Sequence, residues 1–68
     1  MRIEEAIVYL LVSNARGMTT EQIASEINER VLHIRRDGKP VTSSQVYAVV
    51  MHNSEVFAKD GKLIRLLM

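Results

Sequence analysis

Apolar positions along this chain form three stretches at helical spacing and then one at strand spacing. Ile3, Ile7, Leu10 and Leu11 recur at intervals of three and four, which predicts a first helix from Ile3 to about Ala15, with Gly17 as its stop. Val8, Tyr9 and Val12 lie off that stripe; either the C-terminal hairpin buries them or they form an association surface. A second stripe, Ile23, Ala24, Ile27 and Val31, predicts a helix that begins at Thr20 and frays near Val31 or Leu32, and the pattern leaves open whether it runs on through His33. His33 to Pro40 is then a connection, with Asp37-Gly38 as a turn and Pro40 disfavouring helix at Lys39. Ile34 is expected to anchor this connection to the core and to leave Arg35 and Arg36 outside. Val46, Val49 and Val50 predict a third helix from Ser43 to about Asn53. The run Val56–Lys59 reads as a short strand, Asp60-Gly61 as a type I′ hairpin turn, and Lys62–Leu67 as the return strand, with Leu63 and Arg65 on one face and Ile64 and Leu66 on the other.

The second and third helices open with the same six-residue pattern, Met18-Thr19-Thr20-Glu21-Gln22-Ile23 and Val41-Thr42-Ser43-Ser44-Gln45-Val46. In each, a Thr precedes a Gln by three residues. The Thr hydroxyl can accept from the Gln backbone N–H while the Gln side chain reaches back to the Thr N–H. An apolar residue just outside and another just inside form a hydrophobic staple that fixes the angle at which the chain joins the helix. The expected fold is therefore mainly α with a small β-hairpin: a winged helix-turn-helix of three helices plus a C-terminal two-stranded wing, forming one domain over residues 1–68. The link between the second and third helices is long for a simple helix-turn-helix, whose turn spans a few residues.

With 68 residues, the chain has room for one small core, so its apolar residues must be used efficiently or covered by association. The absence of cysteine excludes disulfides and thiolate metal sites and fits a reducing compartment. The longest apolar run, Ala6 to Val12, is far too short to span a bilayer. Acidic Glu4 and Glu5 stand where a signal peptide would be basic. A cytoplasmic setting without membrane partners is expected, nucleoid-associated if the chain binds DNA. Net charge is +1, which by itself favours no polyanion. The distribution is less even: residues 1–29 hold two basic against five acidic residues, 30–39 four against one, and 40–68 three against two. Positive charge thus gathers in the connecting loop and the hairpin, as a surface facing nucleic acid requires.

Nothing in the chain spells out catalysis. His33 and His52 stand on different elements with no carboxylate at ligand spacing, and there is no phosphate-binding glycine loop or nucleophile elbow. Ser43 and Ser44 occupy the first turn of a capped helix, where serine serves local needs. No cofactor, metal or small-molecule substrate is expected. In a helix-turn-helix the second helix of the pair enters the major groove and meets base edges through its N-terminal residues. Here that helix presents Ser43, Ser44, Gln45 and Tyr47, with Arg35, Arg36 and Lys39 before it and Lys59 and Lys62 on the wing as phosphate contacts for double-stranded DNA. It carries no Arg or Lys, so bidentate readout of guanine is not expected from it. The alternative function is protein association, including a homodimer through Val8, Val12, Leu66 and Leu67, with Met68 adding to the apolar surplus at the C-terminus.

Three stretches together, Glu21–Arg30, then Arg35-Arg36-Asp37-Gly38-Lys39-Pro40-Val41 with Ser43-Ser44-Gln45-Val46, and Val56-Phe57 at the close, resemble the HARE-HTH winged-helix domains found with bacterial restriction enzymes, the RNA polymerase delta subunit and chromatin proteins. The resemblance covers nearly the whole chain. It implies a winged-helix fold and a non-catalytic role in DNA recognition as a regulatory or targeting module. The chain departs from the bacterial type in having Val49 where an Arg stands and Asn53-Ser54 where a Tyr-Pro pair stands.

Overall fold

Helix α1 (Ile3–Ser13) turns Ala6, Ile7, Leu10 and Leu11 into the core. Its first turn is closed by Glu5, whose carboxylate accepts from the Arg2 N–H at 2.9 Å. It ends two residues before the expected Ala15 because Asn14 caps it: the Asn14 amide donates to the Leu10 carbonyl at 2.9 Å, and its backbone N–H bonds Leu11. The computed structural model that shows this describes residues 1–67; Met68 lies outside the described residues.

Helix α2 (Thr20–Arg30) opens on the full reciprocal box: the Gln22 N–H donates to the Thr19 hydroxyl at 3.1 Å, and the Gln22 side chain accepts from the Thr19 N–H at 3.0 Å. Met18 and Ile23 are both buried, as the staple requires. The helix ends near Val31, as expected, and does not continue through His33. It is terminated by Val31 in the left-handed conformation, φ 53°. The Leu32 N–H then bonds the Ile27 carbonyl and the Val31 N–H bonds Asn28, the paired bonds of a Schellman motif. Val31 is the one non-glycine residue with positive φ among the described residues.

Helix α3 (Ser43–His52) buries Val46 and Val50. It ends one residue before the expected Asn53 by the device that ends α1: the Asn53 amide donates to the Val49 carbonyl at 2.8 Å. Strands β1 (Phe57–Asp60) and β2 (Leu63–Leu66) pair antiparallel, Phe57 opposite Leu66 and Asp60 opposite Leu63. β1 is displaced by one residue and β2 starts one residue later than expected because the turn is Gly61-Lys62, one residue later than Asp60-Gly61; β2 also ends one residue earlier, at Leu66. A type I′ turn at the expected place needs positive φ at Asp60 as well, whereas here Gly61 alone carries it, as the first central residue of a type II′ turn does. The faces of β2 are as expected, with Ile64 buried, Leu66 half-buried and Arg65 exposed.

One pairing had no counterpart in the sequence pattern. Met18 bridges Ile64 with N–H to carbonyl bonds of 3.1 and 2.7 Å, so the segment before α2 lies along β2 as a third, one-residue strand. Gly17 makes this possible. Its φ is 95°, and a Cβ there would stand 2.9 Å from the Ile64 carbonyl oxygen and 3.0 Å from Arg65 Cγ. It is a close-approach glycine against the wing rather than the stop of α1. The core joins all elements: Ile7 and Leu10 from α1, Ile23 and Ile27 from α2, Val46 from α3 and Ile64 from β2 are fully buried, with Phe57 beside them. Among the described residues no helix is long and apolar enough to cross a membrane.

Candidate nucleic-acid interface

The position of α3 relative to α2 is fixed by a residue that no sequence pattern marked. Asn28, in the last turn of α2, donates to the Val41 carbonyl and accepts from the Val41 N–H, both at 2.9 Å. The side chain thus pairs with one residue's backbone as a neighbouring strand would. Val41 is buried directly before the Thr42 cap, so this clasp sets where α3 begins. Leu32 packs against the core at the other end of the loop. Ile34 does not: it is 71% exposed, because the Schellman turn has already brought Leu32 inward in its place.

The loop bases divide into two kinds. Arg35 is turned into the loop, contrary to the expected outward position, where it bonds Asp37 at 2.8 Å and the Pro40 carbonyl at 3.2 Å. Asp37 in turn accepts from the Lys39 N–H at 3.0 Å, so Arg35 and Asp37 hold the turn around Gly38. Arg36 and Lys39 are exposed. His33 donates to the Met1 carbonyl at 2.9 Å, which ties the chain start to the same loop.

On α3 the second capping box is half made. The Gln45 N–H donates to the Thr42 hydroxyl at 3.1 Å, but the Gln45 side chain does not reach back. Its Oε1 is buried without a hydrogen-bond partner among the described residues, and it lines a shallow depression with His33, Ile34, Arg35, Arg36 and Asp37. The loop folding over Gln45 draws the side chain away from the cap. Ser43 is half-buried, and the residues of α3 that meet solvent are Ser44, Tyr47, Ala48, Met51 and His52. Of the three helices α3 alone has no acidic residue in its first turn, which leaves the positive end of its dipole uncompensated.

Of the wing residues, Lys59 is carried back onto α3: its ammonium lies 5.6 Å from the centroid of the Tyr47 ring. Lys62 is exposed in the hairpin turn. Five of the nine expected contact residues gather into two groups, Arg35, Arg36 and Gln45 around the loop depression and Tyr47 with Lys59 where α3 meets the wing. Ser43 and Ser44 lie in the first turn of α3, and Lys39 and Lys62 stand in the loop and turn. The sequence pattern gave no sign of Asn28, since an Asn on the polar side of a helix carries no positional signal, whereas the spacing of Val46, Val49 and Val50 already put Ala48 and Met51 on the outward side of α3. Among the described residues no group of three or more His, Asp or Glu side chains is placed to hold a metal ion.

No family model, curated protein or solved structure matches this chain.

Proposed function

We propose that the chain is a non-catalytic DNA-binding winged-helix module, with α3 as the helix that enters the major groove. The observation that carries this reading is the Tyr47–Lys59 contact, which sets a basic wing residue beside the exposed face of the second helix of the pair. The uncompensated N-terminus of α3 supports it, since a helix start with free amides favours phosphate, and so does the resemblance to HARE-HTH domains. Phosphate contacts come from Arg36, Lys39, Lys59 and Lys62. Arg35 shapes the loop that carries Arg36 and Lys39. Ser44, Tyr47 and Ala48 face the groove, where Ala48 suits a thymine methyl. With no Arg or Lys on α3, binding is driven by phosphates and reads sequence weakly.

The test is an NMR titration of labelled protein with a short mixed-sequence duplex at low and at physiological salt. Salt-sensitive shifts are expected at Arg36, Lys39, Ser44, Tyr47, Lys59 and Lys62. The Lys59→Ala, Lys62→Ala double variant is expected to flatten the log–log salt slope by about 2, about one unit for each phosphate no longer neutralised. Absence of any shift at low salt overturns the proposal.

A further inference from the structure

The outward side of α1 is unlike that of α2. On α2 the exposed positions are Glu21, Gln22, Ser25, Asn28, Glu29 and Arg30, all polar. On α1, directly opposite the buried Ile7 and Leu10, stand Glu5, Val8, Tyr9 and Val12 at spacings of three and four. Tyr9 is 48% exposed and Val12 64% exposed. A helix that is apolar all round is one buried on both sides, and in this fold α1 is covered on one side only. The apolar surface continues sideways. Val8 and Tyr9 line a groove of about 340 Å³ with Val56 and Phe57, and the exposed Leu67 bonds Val56 through its N–H at 2.8 Å. Val8, Val56 and Leu66 are half-buried and packed against the core, so the exposed part of this surface is Tyr9, Val12 and Leu67.

Charge decides what fits there. At the N-terminal end of the stripe Glu4 is ion-paired with Arg2 at 2.8 Å, which leaves Glu5 as the acid available to a partner, and the turn just beyond its C-terminal end carries Arg16, which is exposed. A second copy of α1 laid antiparallel brings the acidic end of each helix to the basic end of the other, with Tyr9 of one copy beside Val12 of the other. A parallel arrangement sets acid on acid. Pairing of this kind is self-complementary, as an interface about a two-fold axis must be. We infer that α1 is a homodimer interface in which two copies pack antiparallel through Val8, Tyr9 and Val12, closed at each end by Glu5 and Arg16. A stripe on a helix of eleven residues gives an interface below about 1,200 Å², the size at which association is weak and transient. The inference does not depend on DNA binding, since the two surfaces share no residue.

Sedimentation equilibrium of the full chain from about 10 µM to about 1 mM, the range in which such weak interfaces associate, tests this. The wild-type chain is expected to pass from monomer to dimer across that range. Val12→Lys, at an exposed position that leaves the core untouched, is expected to weaken the dimer more than tenfold with an unchanged circular dichroism spectrum. Arg16→Glu is expected to weaken it about fivefold, since two surface ion pairs become two repulsions. A wild-type chain that stays monomeric at 1 mM overturns the proposal, as does a dimer indifferent to Val12→Lys. A dimer abolished by Val12→Lys but indifferent to Arg16→Glu overturns the antiparallel arrangement.

Discussion

The Lys59 ammonium stands over the Tyr47 ring, 5.6 Å from its centroid, and so joins the wing to the exposed side of α3. α3 carries no acidic residue, so on that helix it is the ring face that the cation meets. The contact is solvent-exposed, so its coupling energy is expected to be about 0.5–1 kcal/mol. A double-mutant cycle with Tyr47→Leu and Lys59→Met, read by chemical denaturation, measures it. A coupling energy indistinguishable from zero means that wing and α3 are positioned by the core alone.

Asn28→Ala is expected to destabilise the domain by about 1–3 kcal/mol, because it leaves the N–H and carbonyl of buried Val41 without their partner. The Val41 amide should lose its protection in hydrogen exchange more than amides elsewhere in the core, which separates opening of the clasp from general loosening. Equal loss of protection everywhere would show that the clasp is not a local device.

Val31→Gly is expected to stabilise the protein. Val31 is 61% exposed and held at φ 53°, where a β-branched side chain crowds its own backbone. Relief of about 1–2 kcal/mol of left-handed strain, less the greater chain entropy of glycine, leaves a gain of about 0.5–1 kcal/mol. For a domain of this size that corresponds to a rise in Tm of about 3–6 °C, readable in a thermal melt. An unchanged or lower Tm would mean that the Val31 side chain makes a compensating contact.

Gly17→Ala and Gly38→Ala form a matched pair. Both positions have positive φ, but a Cβ at Gly38 meets nothing within 4 Å, whereas one at Gly17 meets the Ile64 carbonyl. Gly38→Ala carries the backbone penalty alone, about 1 kcal/mol, and Gly17→Ala more than about 2 kcal/mol because it also pries Met18 from β2. Equilibrium urea unfolding of both variants gives the difference directly. Equal destabilisation would show that the Met18–Ile64 bridge adds little to holding the wing.

The parts of this fold that were legible in the sequence are those set by local chemistry. Thr19 and Gln22 announce α2 because the box closes within four residues, and the apolar stripes place the core faces of all three helices because periodicity and burial are one fact seen twice. What escaped depends on residues far apart in the chain. Asn28 finds Val41, and Met18 finds Ile64, only once the helices have packed. Gln45 repeats the chemistry of Gln22, yet the loop over it takes its side chain elsewhere. Arg35 and Arg36 are indistinguishable as neighbouring bases until Asp37 and the Pro40 carbonyl claim the first. For the candidate interface, residue types pointed to the loop, α3 and the wing, while the contact of Tyr47 with Lys59 needed the tertiary structure.

The Asn28–Val41 clasp also frees the segment it spans. Since Leu32 docks one end on the core and Asn28 secures the other, the start of α3 is fixed whatever path residues 33–40 take between them. Lengthening a flexible loop costs only about 0.6 kcal/mol per doubling. A peptide epitope spliced beside exposed Ile34 should therefore leave the bearing of α3 unaltered while displacing Arg36 and Lys39, so the loop can be altered independently of the helix it leads into.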